Sequence, residues 1–193
     1  TRLRHPPVAA MMATLARLMW AVLPAVVSAC VPPDCDRKDC GTCGVACCAL
    51  LVQVEVEQEH LMHALNASLA SGGPDGRFFL KPTAESPFGF GDLRPYHPDT
   101  VSFIGQAYHT TQRHIYNDTL NFLIYAPDPA KPSASRMRVF SISQIGGAYC
   151  DDGQNFKNIV VLLKSLGYPF KEINNAGCPP KDGHKGDAEL WSA

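Results

Sequence analysis

The sequence predicts an α+β domain, an antiparallel sheet of about five strands with two helices packed on one face, preceded by a disulfide-rich N-terminal segment. Three observations carry this. After Ala49, apolar residues recur with strand spacing in several runs and with helical spacing in two others. Three long runs rich in β-branched and aromatic residues follow one another between residues 101 and 145, the order of an antiparallel meander rather than of alternating strand and helix. Six of the eight cysteines fall between Cys30 and Cys48, where large apolar side chains are scarce and cross-links have to supply the order.

The elements follow in sequence. Residues 49–56 (ALLVQVEV) are β-branched and alternate at their end, a strand. Residues 57–71 place Leu61, Leu65 and Leu69 on one helical stripe, with Glu57 and Glu59 in the first turn and Gly72-Gly73 as the stop. The Gly-Pro-Asp-Gly turn at 73–76 leads to a short strand at 77–81. Residues 82–100, with four prolines, read as a long surface loop. Strands are expected at 101–112, 118–126 and 137–145. The Asp151-Asp152-Gly153 cap signal then opens a helix that carries Phe156, Ile159, Val160, Leu163 and Leu166 on one face and stops at Gly167. The domain is expected to span 49–170, with 171–193 a polar, loosely ordered tail.

Composition bounds the function. The chain has 193 residues, 46% of them hydrophobic and 18% charged, and a formal net charge of −1. That supports one packed core and supplies no basic excess to neutralise a phosphate backbone, so a nucleic-acid partner is not expected.

Residues 1–29 read as upstream residues and a signal peptide. Met11 or Met12 is the expected start; Arg17 follows, then the apolar run Leu18–Val27 and the small-residue site Val27-Ser28-Ala29. The run is ten residues with Pro24 inside it, against about 20 for a membrane span, and no second run of spanning length appears, so no transmembrane segment is expected in the mature protein. The expected location is therefore secreted or extracytoplasmic. Val27-Ser28-Ala29-Cys30 also resembles a lipobox, which in a bacterial source would make Cys30 a lipid anchor. Two sequons, Asn66-Ala67-Ser68 and Asn117-Asp118-Thr119, mark Asn66 and Asn117 as glycosylation candidates in a eukaryotic secretory pathway.

In that compartment the cysteines read first as disulfides. Cys30, Cys35, Cys40, Cys43, Cys47 and Cys48 form an N-terminal knot (residues 30–48) with 15 possible pairings, and Cys150 with Cys178 is the natural remaining pair. Cys40-Gly41-Thr42-Cys43 has the spacing of thiol-disulfide oxidoreductases, but Gly44 and further cysteines follow where a helix should begin. Zinc is disfavoured because only one true Cys-x-x-Cys exists and export favours oxidation.

Two segments carry a family resemblance. Tyr116-Asn117-Asp118-Thr119-Leu120-Asn121-Phe122, and Phe140-Ser141-Ile142-Ser143-Gln144-Ile145-Gly146 followed by Asp152-Gly153-Gln154-Asn155, are similar to signatures of the domain-of-unknown-function family 1499, over residues 103–166. Gln144 replaces that family's arginine, Asn158 stands near its helix arginine, and its cysteine-bounded opening is missing. The resemblance implies an α+β fold and a bacterial extracytoplasmic compartment, or the plastid lumen in an alga. It implies no activity, since the family has none established.

Candidate site residues are few. Ser143, His109 and Asp118 supply the residue types of a Ser-His-Asp hydrolase, but no Gly-x-Ser-x-Gly elbow presents the serine. The alternation of a one-sided sheet instead puts His109, Thr110, Thr111, Asn121, Ser141 and Ser143 on a solvated face. His60 and His63 share a helical face near solvent, and no metal or cofactor is expected. The aromatic residues Phe103, Tyr108, Phe122, Tyr125, Phe140 and Phe156 suggest a small apolar ligand held between sheet and helices. The expectation is a non-catalytic domain, structural or ligand-binding. The alternatives are a weak hydrolase at Ser143/His109 and a thiol-disulfide protein at Cys40/Cys43.

Overall fold

Alternating burial organises the sheet from its first strand. A computed structural model describes residues 46–81, 89–144, 151 and 153–178. The expected signal peptide in 1–29, Cys30, Cys35, Cys40, Cys43, Cys150, Asp152 and the expected tail beyond Cys178 lie outside the described residues. Strand β1 (Cys47–Val54) turns Cys48, Leu50, Val52 and Val54 to one side, all buried. Helix α1 (Gln58–Ala70) buries Leu61, Leu65 and Leu69 on one stripe. Full burial of a leucine side chain is worth about 1.5–3 kcal/mol, which is what holds this helix to the sheet. Strands β2 (Phe78–Lys81), β3 (Gly91–Asp92), β4 (Val101–Thr110), β5 (Asn117–Tyr125) and β6 (Ser135–Ser143) follow, then helix α2 (Gln154–Ser165) and strand β7 (Phe170–Ala176).

The strands form one antiparallel sheet of seven, ordered β2-β4-β5-β6-β1-β7, with β3 also pairing β4. The expected meander is β4-β5-β6. Both helices lie on one face, since Leu61, Leu65 and Leu69 of α1 and Phe156, Ile159 and Leu163 of α2 share a single core with Leu50, Val52, Leu120, Phe122, Met137 and Val139. A small second cluster, Cys47, Phe140 and Ile142, occupies the reverse face. The fold class is thus α+β, with a sheet two strands larger than expected.

Both additional strands come from segments read as loop or tail. β3 sits inside the expected 82–100 loop and pairs with Phe103 and Ile104, while β2 pairs with the stretch from Gln106 to His109. The two share one edge of β4 and leave Gly105 between them. A β carbon on Gly105 would lie 2.5 Å from the Phe90 ring, so glycine there lets Phe90 lie flat on the strand and reach Phe122, centroid to centroid 5.6 Å. Arg94, held by Asp92 and Glu59, sits 4.7 Å over the Phe103 ring and pins the same loop.

β7 corrects the expected domain boundary at 170. It is an edge strand beside β1, largely exposed, and its sequence Phe-Lys-Glu-Ile-Asn-Asn-Ala has no alternation to reveal it. Pairing with β1, not burial of a face, makes it a strand. Its register slips between Leu51 and Val52, which leaves Ile173 as the extra, bulged residue.

The disulfide pattern is also corrected. Cys178 bonds Cys48, with an S–S distance of 2.03 Å and Cα atoms 4.4 Å apart, and not Cys150. Cys47 and Cys48 belong to β1 rather than to a separate knot. Cys47 is disulfide-bonded as well, from the opposite face of the strand.

Two outcomes follow. Non-reducing peptide mapping will recover Cys48 joined to Cys178, and the Cys48→Ala/Cys178→Ala double variant will lose about 2–5 kcal/mol in denaturant unfolding, because the bond closes a loop of 130 residues. Gly105→Ala will lose about 1–3 kcal/mol by the same measurement as Phe90 is pushed off the strand.

Candidate functional site

The register of the central strands brings the candidate hydrolase residues into one row. His109 on β4 faces Asp118 on β5, and Asp118 faces Ser143 on β6. All three point to the face covered by the helices, Asp118 and Ser143 beneath the start of α2. The Ser143 hydroxyl donates to Asp118 Oδ1 at 2.9 Å, and Asn158 Nδ2 of α2 donates to Asp118 Oδ2 at 2.8 Å. Gln154 Nε2 donates in turn to Asn158 Oδ1 at 2.6 Å.

Asn155 centres a second set. Its Oδ1 accepts the Ser141 hydroxyl at 2.6 Å, and its Nδ2 lies 2.5 Å from Asp151 Oδ2, 2.9 Å from the Ala46 carbonyl and 3.1 Å from Ser143 Oγ. Two amide hydrogens cannot serve three acceptors fully, and the two shorter contacts take them. Asp151 also accepts the Gly153 and Asn155 backbone N–H groups at 3.0 and 2.8 Å, the carboxylate that the first turn of α2 needs.

This order is not that of a nucleophile triad. Catalysis by serine needs the imidazole between serine and carboxylate. Here the carboxylate stands between them, and His109 and Ser143 are two strand spacings apart, about 10 Å between backbones. His109 turns elsewhere. Its Nε2 donates to Asp75 Oδ2 at 3.0 Å, its ring centroid lies 4.5 Å from that of Phe78 with the planes tilted by 49°, and its Nδ1 is buried without a partner among the described residues. Asp75 is fixed by Arg77, whose Nη2 lies 2.7 Å from Oδ2. Nothing in the sequence singles out Asp75, which reads only as a turn residue; its role depends on the α1–β2 turn folding back onto β4.

The expected solvated face is corrected too. His109, Thr110 and Ser141 are buried, and Ser143 is half-buried under α2. Asn121 does face outward, half-buried, and accepts a hydrogen bond from Gln106 Nε2 at 2.6 Å; Thr111 sits half-buried in the β4–β5 turn. The six aromatic residues expected around a ligand do not share a space. Phe103, Phe122 and Phe156 are fully buried in the core between sheet and helices, whereas Phe140 belongs to the reverse-face cluster and the register puts Tyr108 and Tyr125 on that side. His60 and His63 are exposed on α1, and no group of three or more metal-ligating residues occurs among the described residues. No described helix is long and apolar enough to cross a membrane.

The two carboxyls at the ends of this region shift in opposite directions. Burial pushes Asp75 up, but hydrogen bonds from His109 and from the Arg77 backbone, the His109 charge and the Arg77 guanidinium together hold it below 3.8. Burial raises Asp151 above 3.8 despite the hydrogen bonds from Asn155 and Gly153, and the neighbouring Asp118 charge adds to the rise. A lowered carboxyl contributes stability that is present above 3.8 and lost as pH falls through its folded value; a raised one favours the fold at low pH and loses that contribution as pH rises from 3.8 through its folded value. Denaturant midpoints followed through the acid range will therefore show Asp75→Asn flattening the acid-side loss of stability and Asp151→Asn removing a decline on the other side of 3.8. Slopes changing in the same sense for both variants would refute these environments.

No protein-family model matches the chain, and no curated protein or solved structure is significantly similar to it.

Proposed function

We propose that the chain is exported and serves as a non-catalytic, disulfide-stapled α+β domain whose helix-covered polar residues are structural. One observation carries the reading: among the described residues, the polar side chains beneath α2 are engaged with one another. The Ser143 hydroxyl donates a hydrogen bond to Asp118, Asp118 is also held by Asn158, and Asn155 joins Ser141 to Asp151. A carboxylate already held by the Asn158 amide is a weak base for that hydroxyl, and no imidazole stands beside Ser143 among the described residues. The export part rests on the apolar leader and on the Cys48–Cys178 bond, which suits an oxidising compartment. Kinship with family 1499 is part of the same proposal, supported by the convergence of Asp118, Ser141, Ser143 and Asn155 from its two resembling segments in one network.

Two measurements test this. A fluorophosphonate probe is expected to leave the purified protein unlabelled; labelling that disappears in Ser143→Ala would restore the hydrolase alternative. Thiol alkylation of the native protein, read by intact mass, is expected to find Cys47, Cys48 and Cys178 unreactive. Rapid alkylation of these cysteines in cells would remove the export reading.

A further inference from the structure

We infer that Asn117, and not Asn66, carries an N-linked glycan in the folded protein; this rests on the export reading above, in a eukaryotic secretory pathway. The two sequons are equivalent as motifs, Asn66-Ala67-Ser68 and Asn117-Asp118-Thr119. The fold makes them different.

Asn117 begins β5 and is exposed. Its carbonyl accepts the Gln144 backbone N–H at 2.9 Å, while its side chain makes no hydrogen bond to a described residue, so a substituent on Nδ2 breaks no hydrogen bond among them. The turn just before it leaves Ile115 61% and Tyr116 53% exposed, two large apolar side chains in water beside the acceptor. A sugar at Asn117 would stand over them and make that end of the sheet hydrophilic.

Asn66 lies half-buried on α1, beside the core residue Leu65. Its Oδ1 accepts the Phe90 backbone N–H at 3.3 Å, and a β carbon on Gly89 would fall 1.9 Å from that oxygen. The amide is therefore clamped beneath residues 89–90, with room only because position 89 has no side chain. A sugar on the nitrogen of the same amide would pry this segment away, and with it the Phe90 ring that covers Gly105.

Timing follows from Thr119. The hydroxyl required for recognition is fully buried and its Oγ1 accepts Gln144 Nε2 at 2.6 Å, so it is reachable only before β5 pairs with its neighbours. Transfer therefore precedes folding, and the fold discriminates afterwards: a chain bearing sugar at Asn66 cannot seat residues 89–90 against that amide, whereas one bearing it at Asn117 folds unhindered and is secreted. The Nδ2–carbon bond forms at the anomeric carbon of a lipid-linked oligosaccharide, the carbon–oxygen bond to the lipid pyrophosphate breaks with its electron pair leaving on oxygen, and the amide gives up one proton.

The test is secretion of the full chain from a eukaryotic host, followed by peptide-N-glycosidase in heavy-oxygen water and peptide mass mapping. Heavy-oxygen aspartate is expected at 117 and not at 66. Asn117→Gln is expected to abolish the glycosidase-sensitive gel shift, and Asn66→Gln to leave it unchanged. A secreted chain with the Cys48–Cys178 bond formed but position 117 bare, or with sugar at Asn66, overturns this inference alone. A chain retained in the cytosol with Cys48 and Cys178 reduced overturns the export reading and the glycan with it.

Discussion

Strand β1 lies between β6 and β7, and its two-residue period sends the adjacent Cys47 and Cys48 to opposite faces of the sheet. That constraint reaches most of the structure. Cys48, facing the helices, is fully buried in the main core and ties β1 to the chain leaving β7. Without this bond β7 would depend on backbone pairing along one exposed edge. Cys47, also disulfide-bonded, packs on the reverse face with Phe140 and Ile142. Just before β1, the Ala46 carbonyl accepts both the Ser143 backbone N–H and the Asn155 amide, so the start of this strand also sets where α2 begins.

The polar residues beneath α2 make sense in that setting. A helix packed on a sheet through Phe156, Ile159 and Leu163 alone is free to slide, because apolar contacts carry little directional information. Asn155 and Asn158 remove that freedom by bonding to Ser141, Asp151 and Asp118 at fixed positions on β6, at the helix start and on β5. Displacing them would strand buried donors and acceptors, at roughly 1–3 kcal/mol for each. His109 is the partial exception, since one ring nitrogen is satisfied by Asp75 and the other has no partner among the described residues. Asp118, Ser141, Asp151, Asn155 and Asn158 thus register helix against sheet.

Much of the fold could be read along the chain because each such element buries one face. The alternation of β1, the leucine stripe of α1, the meander from β4 to β6 and the apolar face of α2 all leave periodic traces, and the structure keeps them with ends shifted by a few residues. β3 and β7 leave none: one is two residues long, the other an exposed edge, and both exist because a neighbouring strand offers backbone partners. The sites were less legible. Ser143, His109 and Asp118 are indeed neighbours in the sheet, as three polar residues in adjacent strands can be, but their order across the strands is a matter of register, which spacing along the chain does not fix.

By itself, then, the amino-acid order determined the α+β class, the meander, the helical stripes and the supply of cysteines and polar side chains, since these depend on periodicity and composition within short windows. Only the tertiary structure decided that Cys178 meets Cys48, that His109 turns to Asp75, and that Asn117 stands clear while Asn66 is clamped. The physical reason is the same in each case. Pairing partners far apart in sequence are selected by strand register and by which face of the sheet the helices cover, and those are properties of the assembled layers.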